Sequence, residues 1–260
     1  MRQLQAHPLY RGGGELDHVE PMEPGASPAA ERLAAIRRRI AAACDRAGRD
    51  SAAVILVGAS KTQPAAALAP FVAAGLSVLG ENRVQEALAK QRELAADHRL
   101  PRVEWHLIGP LQTNKARHAL DLFSCVHSLD RPAIAAALDR EAARRDAPLN
   151  AFVEVNLGEE PSKHGFAPAG LAAALRPLRD LAYLRIVGLM AIPPYTDAAA
   201  ARPWFRRLRE LRDDLGSRPE WSGWPGWLSM GMSDDFEAAI EEGATHVRIG
   251  TALFGPRRTP

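Results

Sequence analysis

Val54-Ile55-Leu56-Val57-Gly58-Ala59-Ser60-Lys61-Thr62 is a short apolar run, rich in β-branched residues, that stops at a lysine. With 54–60 as the first, runs of the same kind recur at 77–82, 103–109, 125–130, 150–157, 184–192, 227–232 and 246–254, so the chain reads as eight strands. Between them lie Ala-, Leu-, Arg- and Glu-rich stretches with helical patterning, such as 84–95, 131–144 and 203–215. Alternating β and α elements predict a parallel sheet, and eight of them predict closure into a single (β/α)8 TIM-type barrel. A doubly wound open sheet is the structural alternative. The sequence holds neither G-x-G-x-x-G nor G-x-x-x-x-G-K-[ST], which counts against a nucleotide site.

Upstream of the first strand, Leu33, Ile36, Ile40 and Ala43 recur at helical spacing, and Ser27-Pro28 supplies an N-cap serine and a first-turn proline. An additional N-terminal helix is expected from there to about Ala47. Residues 1–27, with Gly12-Gly13-Gly14 and no periodicity, are expected to be a flexible tail, and 28–260 the barrel. The 260 residues carry 47% hydrophobic and 25% charged side chains, the balance of an ordinary globular protein. A net charge of +2, with arginines spread over several helices among acids, gives no nucleic-acid footprint. No apolar run reaches the ~20 residues of a bilayer span. Cys44 and Cys125 make no C-x-x-C and no metal-ligand spacing, which fits a reducing, cytoplasmic setting.

Lys61 falls at the C-terminal end of the first strand, the end where such barrels carry their sites. A lysine there either caps the strand toward water or, with its amine pKa lowered by an apolar setting, serves Schiff-base chemistry. In the eighth run, alternation turns Val247 and Ile249 outward and His246, Arg248 and Gly250 inward. An interior guanidinium has to meet a carboxylate or a ligand. Ser233 reads as the N-cap of a helix over 234–242. With Gly250 and Thr251 it places hydroxyls and backbone N–H groups in the loops after strands seven and eight, the usual phosphate site of this fold. Gly231 is expected to allow a tight turn beside a ligand, and Asp234 and Asp235 leave room for an anion only if they point away. Glu154 and Asn156 share a strand face and read as interior polars. Three tryptophans in 221–227 read as a packed loop.

Gly58-Ala59-Ser60-Lys61-Thr62-Gln63-Pro64, Gly80-Glu81-Asn82-Arg83-Val84-Gln85-Glu86, Trp105-His106-Leu107-Ile108-Gly109-Pro110-Leu111-Gln112-Thr113-Asn114-Lys115, Gly188-Leu189-Met190-Ala191-Ile192-Pro193, Ser229-Met230-Gly231-Met232-Ser233-Asp234 and Arg248-Ile249-Gly250-Thr251 together resemble the YggS/PROSC family of pyridoxal 5'-phosphate (PLP) homeostasis proteins, over about residues 30 to 256. That family is related in fold to the N-terminal barrel of alanine racemase. The resemblance implies PLP as cofactor, with Lys61 as its Schiff-base lysine. It implies Ser229, Ser233, Gly250 and Thr251 around the phosphate and Arg248 at the pyridine nitrogen. Asn82 and His106 would lie near the ring or the mouth, Met190 in the cofactor-binding set, and Lys163 at the pocket edge. His164 stands where the family often has serine, and Gln63 where it often has lysine.

The expected function is PLP homeostasis without significant turnover, in a monomer, with apo-PLP enzymes as recipients and with neither nucleic acid nor membrane as partner. No residue is assigned a catalytic or metal-binding role. The alternative is a PLP-dependent amino-acid racemase-like enzyme. Alanine racemase has a further β-rich domain and a second base from a partner subunit, whereas the sequence here ends at Pro260, just after the eighth strand. A PLP-independent interaction protein has no positive feature in its favour.

Overall fold

The computed structural model describes residues 27–161, 163–194 and 197–256. The expected tail therefore lies outside the described residues, save for Ser27. The first helix, α1 (Pro28–Arg46), starts as its sequence predicts, with Ser27 Oγ accepting from the Ala30 N–H at 3.2 Å. There follow β1 (Ile55–Ala59), α2 (Ala65–Ala73), β2 (Val78–Glu81), α3 (Val84–Ala95), β3 (Glu104–Leu107), α4 (Ala116–Ala119), β4 (Cys125–Leu129) and α5 (Pro132–Ala143). The second half comprises β5 (Leu149–Glu154), α6 (Leu171–Arg179), β6 (Leu184–Met190), α7 (Ala198–Gly216), β7 (Trp227–Ser229), α8 (Phe236–Glu241), β8 (His246–Ile249) and α9 (Thr251–Phe254).

The strands form a closed parallel barrel in sequence order. β8 returns to β1 with Ile55 opposite His246, Val57 opposite Arg248 and Gly58 opposite Ile249. Closure leaves no edge strand with unpaired backbone groups. Alternation along each strand divides the side chains into two sets. Leu79, Leu107, Val126, Ala151, Val153, Leu228, Val247 and Ile249 face outward into the large core under the helices. Cys125, Phe152, Val187 and Met190, with Trp227 against them, form a separate cluster inside. Val187 and Met190 can both face in because the β5–β6 register shifts between Ala151 and Phe152, a bulge that adds one residue and flips the alternation. Outside, α1 lies along the β8–β1 seam. Its Arg39 and Arg46 reach Glu237 and Glu241 of α8, and Arg37 bonds to the Gly75 carbonyl.

Two boundaries differ from the sequence expectation. The eighth run was expected to stay extended to 254, but β8 stops at Ile249 and the chain turns at Gly250 into α9. Leu253 is buried there and Phe254 meets Phe71 edge-on at 5.0 Å. A short apolar run fits either form, and packing chose the helical turn. Ser233 is not a helix cap. α8 begins at Phe236 after Asp235, whose carboxylate accepts from the Met232 N–H at 2.6 Å. Ser233 Oγ instead accepts from the Ala252 N–H at 3.2 Å, tying the turn after β7 to α9.

Gly231 does adopt a positive φ, +92°, but protein rather than open site space fills its surroundings: a Cβ there would lie 2.6 Å from Ala239 Cβ and 3.0 Å from Phe236 Cα. Gly231→Ala should therefore destabilise the protein by about 1–3 kcal/mol. Gly216→Ala, in open space at the end of α7, should be neutral or stabilise by up to about 1 kcal/mol. Urea unfolding of both variants measures the contrast, and equal losses would contradict the packing described.

Candidate functional site

Lys61 lies two residues beyond β1, half-buried in a turn. Thr62 behind it has a φ of +65°, a left-handed backbone that a β-branched residue rarely adopts unless its surroundings impose it. Those surroundings are specific. The Ser60 N–H donates to the Gly80 carbonyl at 2.9 Å, and the Gln63 N–H returns to the Ser60 carbonyl at 3.0 Å. Ser60 Oγ donates to Glu81 Oε1 at 2.8 Å, and Lys90 of α3 donates to the Ser60 carbonyl at 2.9 Å while ion-pairing with Glu81. Glu81 is wholly buried and faces α3. Its other oxygen accepts from the Asn82 N–H at 3.1 Å. One buried ion pair thus fixes the ends of β1 and β2, and with them Lys61 and Asn82. Asn82 is also pressed against Gly109, where a Cβ would come within 2.7 Å of Asn82 Cβ. Gln63, which stands where the resembled family often has lysine, is buried.

Arg248 points inward from β8 and is 5% exposed. It donates through Nη1 to Ser229 Oγ at 2.6 Å and through Nη2 to the Ala191 carbonyl at 3.1 Å, both neutral acceptors. Burial drives its pKa down to about 10, while Glu154 and Asp235 pull it back up. Burial also raises both of those carboxyls, Glu154 further through Asp130. Asp235 holds its own turn by accepting from the Met232 N–H.

Beneath Arg248 lies a floor of histidines. His127 Nδ1 is 2.7 Å from Ser229 Oγ, His127 Nε2 is 2.9 Å from His106 Nδ1, and His106 Nε2 is 3.2 Å from Glu104 Oε1. His246 packs edge-on against Phe152 and near both other rings. Burial first, then the neighbouring histidines and Arg248, holds His127 and His246 well below the usual imidazole range. Burial pushes the Cys125 thiol far up. The His106, Cys125 and His127 donor atoms lie within 4.8 Å of one another, but the facing nitrogens of the two rings already hydrogen-bond to each other.

The structure therefore gathers Lys61, Asn82, Ser233, Arg248, Gly250 and Thr251 at the C-terminal ends of β1, β2, β7 and β8. Three expected residues lie deeper. His106 is fully buried in the histidine floor, Met190 packs in the inner apolar cluster, and Ser229 is fully buried between Arg248 and His127. Inward-facing alternation buries all three side chains, with Met190 and Ser229 as the last residues of β6 and β7. Lys163 sits in the loop after β5, paired with Glu160 at 2.7 Å, and Asn156 organises that loop by donating to the Glu160 carbonyl at 2.9 Å. His164 faces Asp130 at 3.5 Å. Sequence reading missed Lys90, Glu104 and His127. No motif flags them, although His127 could have been found from the inward alternation of 125–129.

A lysine after the first strand and an arginine inside the eighth, in a closed parallel barrel with polar turns at the same end, define a ligand-binding (β/α)8 barrel of the alanine racemase type. The chain belongs to the alanine racemase N-terminal domain family, whose model matches residues 32–258, and within it to the pyridoxal phosphate homeostasis proteins. It is similar to the pyridoxal phosphate homeostasis proteins of Pseudomonas aeruginosa, 50% identical over 229 residues, and of Aquifex aeolicus, 46% identical over 231 residues. Those alignments cover 88% of this chain and 95% and 99% of the two relatives. Among solved structures it resembles PipY of Synechococcus elongatus PCC7942, 41% identical, with a TM-score of 0.75 to the form with PLP bound, covering 87% of this chain and all of that one.

Lys90→Met should cost about 3–5 kcal/mol by stranding a buried carboxylate. Adding Glu81→Gln should recover most of that loss. Urea unfolding of the single and double variants measures the coupling, and strictly additive losses would show that the pair does not brace the site.

Proposed function

We propose that this chain binds PLP at the barrel mouth, as a Schiff base on Lys61, and serves intracellular PLP homeostasis rather than amino-acid turnover. The observation that carries this reading is Arg248. It is a desolvated guanidinium whose described hydrogen bonds use two of five N–H donors, both on neutral oxygens, which leaves donors for a ligand. Pyridoxal phosphate homeostasis proteins at 46% and 50% identity support the same cofactor. When bound, PLP supplies an aldehyde that condenses with an amine, releasing one water, and a ring that withdraws electrons.

Lys61 supplies the amine, positioned by the strained Thr62 turn. Ser233, its hydroxyl proton free to donate while its oxygen accepts from Ala252, joins Gly250 and Thr251 at the phosphate. Arg248 donates toward the pyridine nitrogen, Asn82 borders the ring, and Lys163 stands at the rim. Ser229, His106 and Met190 contribute from below, as supports of Arg248 and of the floor. A guanidinium partner leaves the pyridine nitrogen unprotonated, which makes the ring a weak electron sink. Within this reading apo-PLP enzymes are the recipients, and the protein works in the cytoplasm as a monomer.

Borohydride reduction followed by peptide mapping should place a phosphopyridoxyl group on Lys61, and recovery of the label mainly on Lys163 or Lys115 would overturn the assignment. Pyridoxal should bind far more weakly than PLP, because charge-assisted bonds to the phosphate are roughly twice as strong as neutral ones. Comparable dissociation constants would exclude the phosphate site. Alanine in heavy water should exchange its α-hydrogen negligibly, whereas exchange at roughly 1 per second or faster would identify an enzyme.

A further inference from the structure

Behind Arg248 runs a chain of hydrogen bonds whose polarity follows atom by atom. It begins at Glu104, whose side chain is 33% exposed at the start of β3. Burial alone would raise this carboxyl, but hydrogen bonds from His106 and Ser124 outweigh it and hold it below the usual value. A carboxylate only accepts, so His106 Nε2 carries the proton at 3.2 Å and the Ser124 hydroxyl donates at 2.6 Å. With one proton per ring, His106 Nδ1 accepts, and the 2.9 Å contact is a donation from His127 Nε2. His127 Nδ1 then accepts the Ser229 hydroxyl proton at 2.7 Å. That leaves a Ser229 lone pair for Arg248 Nη1, which can only donate, at 2.6 Å. Each contact has one donor and one acceptor. With both rings singly protonated, reversing any single link would leave two protons, or none, in another; a doubly protonated His106 would instead reverse both inner links.

Filling space does not call for these rings, since Phe152, Val187 and Met190 fill the adjoining interior with apolar groups. The Ala191 carbonyl anchors one end of the guanidinium, and a freely rotating Ser229 hydroxyl would leave the other end unset. Here the serine hydroxyl is itself committed.

We propose that His127, with His106 and Glu104 behind it, is a positioning element for Arg248: it locks Ser229 as an acceptor and so fixes the rotation of the guanidinium that faces the bound ring. The direction toward the ring rests on the PLP reading above; the wiring stands on the protein alone. It makes a carboxylate at the opposite rim of the barrel part of the cofactor site.

Nitrogen NMR of the full chain labelled in histidine and arginine, before any cofactor is added, tests the wiring. Both rings should be protonated at Nε2, with coupling across the His127–His106 bond, and the Arg248 Nη signals should be resolved by slow rotation. His127→Phe should collapse the Arg248 signals into a broadened average. Glu104→Gln, which still offers an accepting oxygen, should keep the pattern, and Glu104→Leu should lose it. A His127 proton on Nδ1 would overturn the proposal, as would unchanged Arg248 signals in a folded His127→Phe. Should that variant not fold, Glu104→Leu, at the partly exposed end, makes the same comparison. In a second arm, PLP labelled at the ring nitrogen should bind His127→Phe about fivefold more weakly, the equivalent of about one hydrogen bond, with a displaced ring-nitrogen resonance. An unmoved resonance and affinity would remove the role toward the ring. A wild-type protein that takes up no PLP would overturn the proposed function alone, and the cofactor-free spectra would still decide the wiring.

Discussion

Everything at this site depends on the pairing of β8 with β1. That register sets Arg248 beside Val57, two residues before β1 ends and four before Lys61. In an open sheet the first and last strands would be the farthest apart. Closure makes them neighbours, and it turns one face of every strand into a barrel interior. A cation placed there has to be satisfied by what the other strands bring.

Two buried charges are handled in different ways. Glu81 and Lys90 meet directly between β2 and α3, with Ser60 and the Asn82 N–H taking up the remaining bonding capacity. Removing one partner would strand the other, which is why the pair braces both strand ends. Arg248 has no such partner within bonding reach among the described residues. Its neutral acceptors keep it in place without quenching its charge, and Glu154 and Asp235 act on it only through space. The first arrangement stabilises structure, and the second leaves a cation available for a ligand.

The apolar periodicity of the chain carried most of the architecture. The eight runs correspond to eight strands, with ends shifted by a few residues, and the Ser27–Pro28 signal opened α1 as local chemistry requires. Errors gathered where a local signal was ambiguous. Ala252, Leu253 and Phe254 suit a strand or a helical turn equally, and burial of Leu253 and the Phe71 contact settled it. Ser233 has the right type for a cap, but Asp235 took that place and Ser233 was drawn to the Ala252 N–H, whose proximity is not visible in the order of residues.

Sequence by itself determined that Lys61 and Asn82 fall at the ends of the first two strands, because strand order and length place residues on faces and ends. It also determined that Arg248 points inward. Only the tertiary structure decided depth and partnership. His106, Met190 and Ser229 proved to be wholly buried inside the barrel, and Lys90, Glu104 and His127 entered through contacts that span 9 residues for Lys90–Glu81 and 102 for His127–Ser229. Local patterns fix the face a side chain occupies. How far down the barrel it lies, and which polar atom it meets there, follows from the stagger between strands and from the requirement that every buried donor and acceptor find a mate.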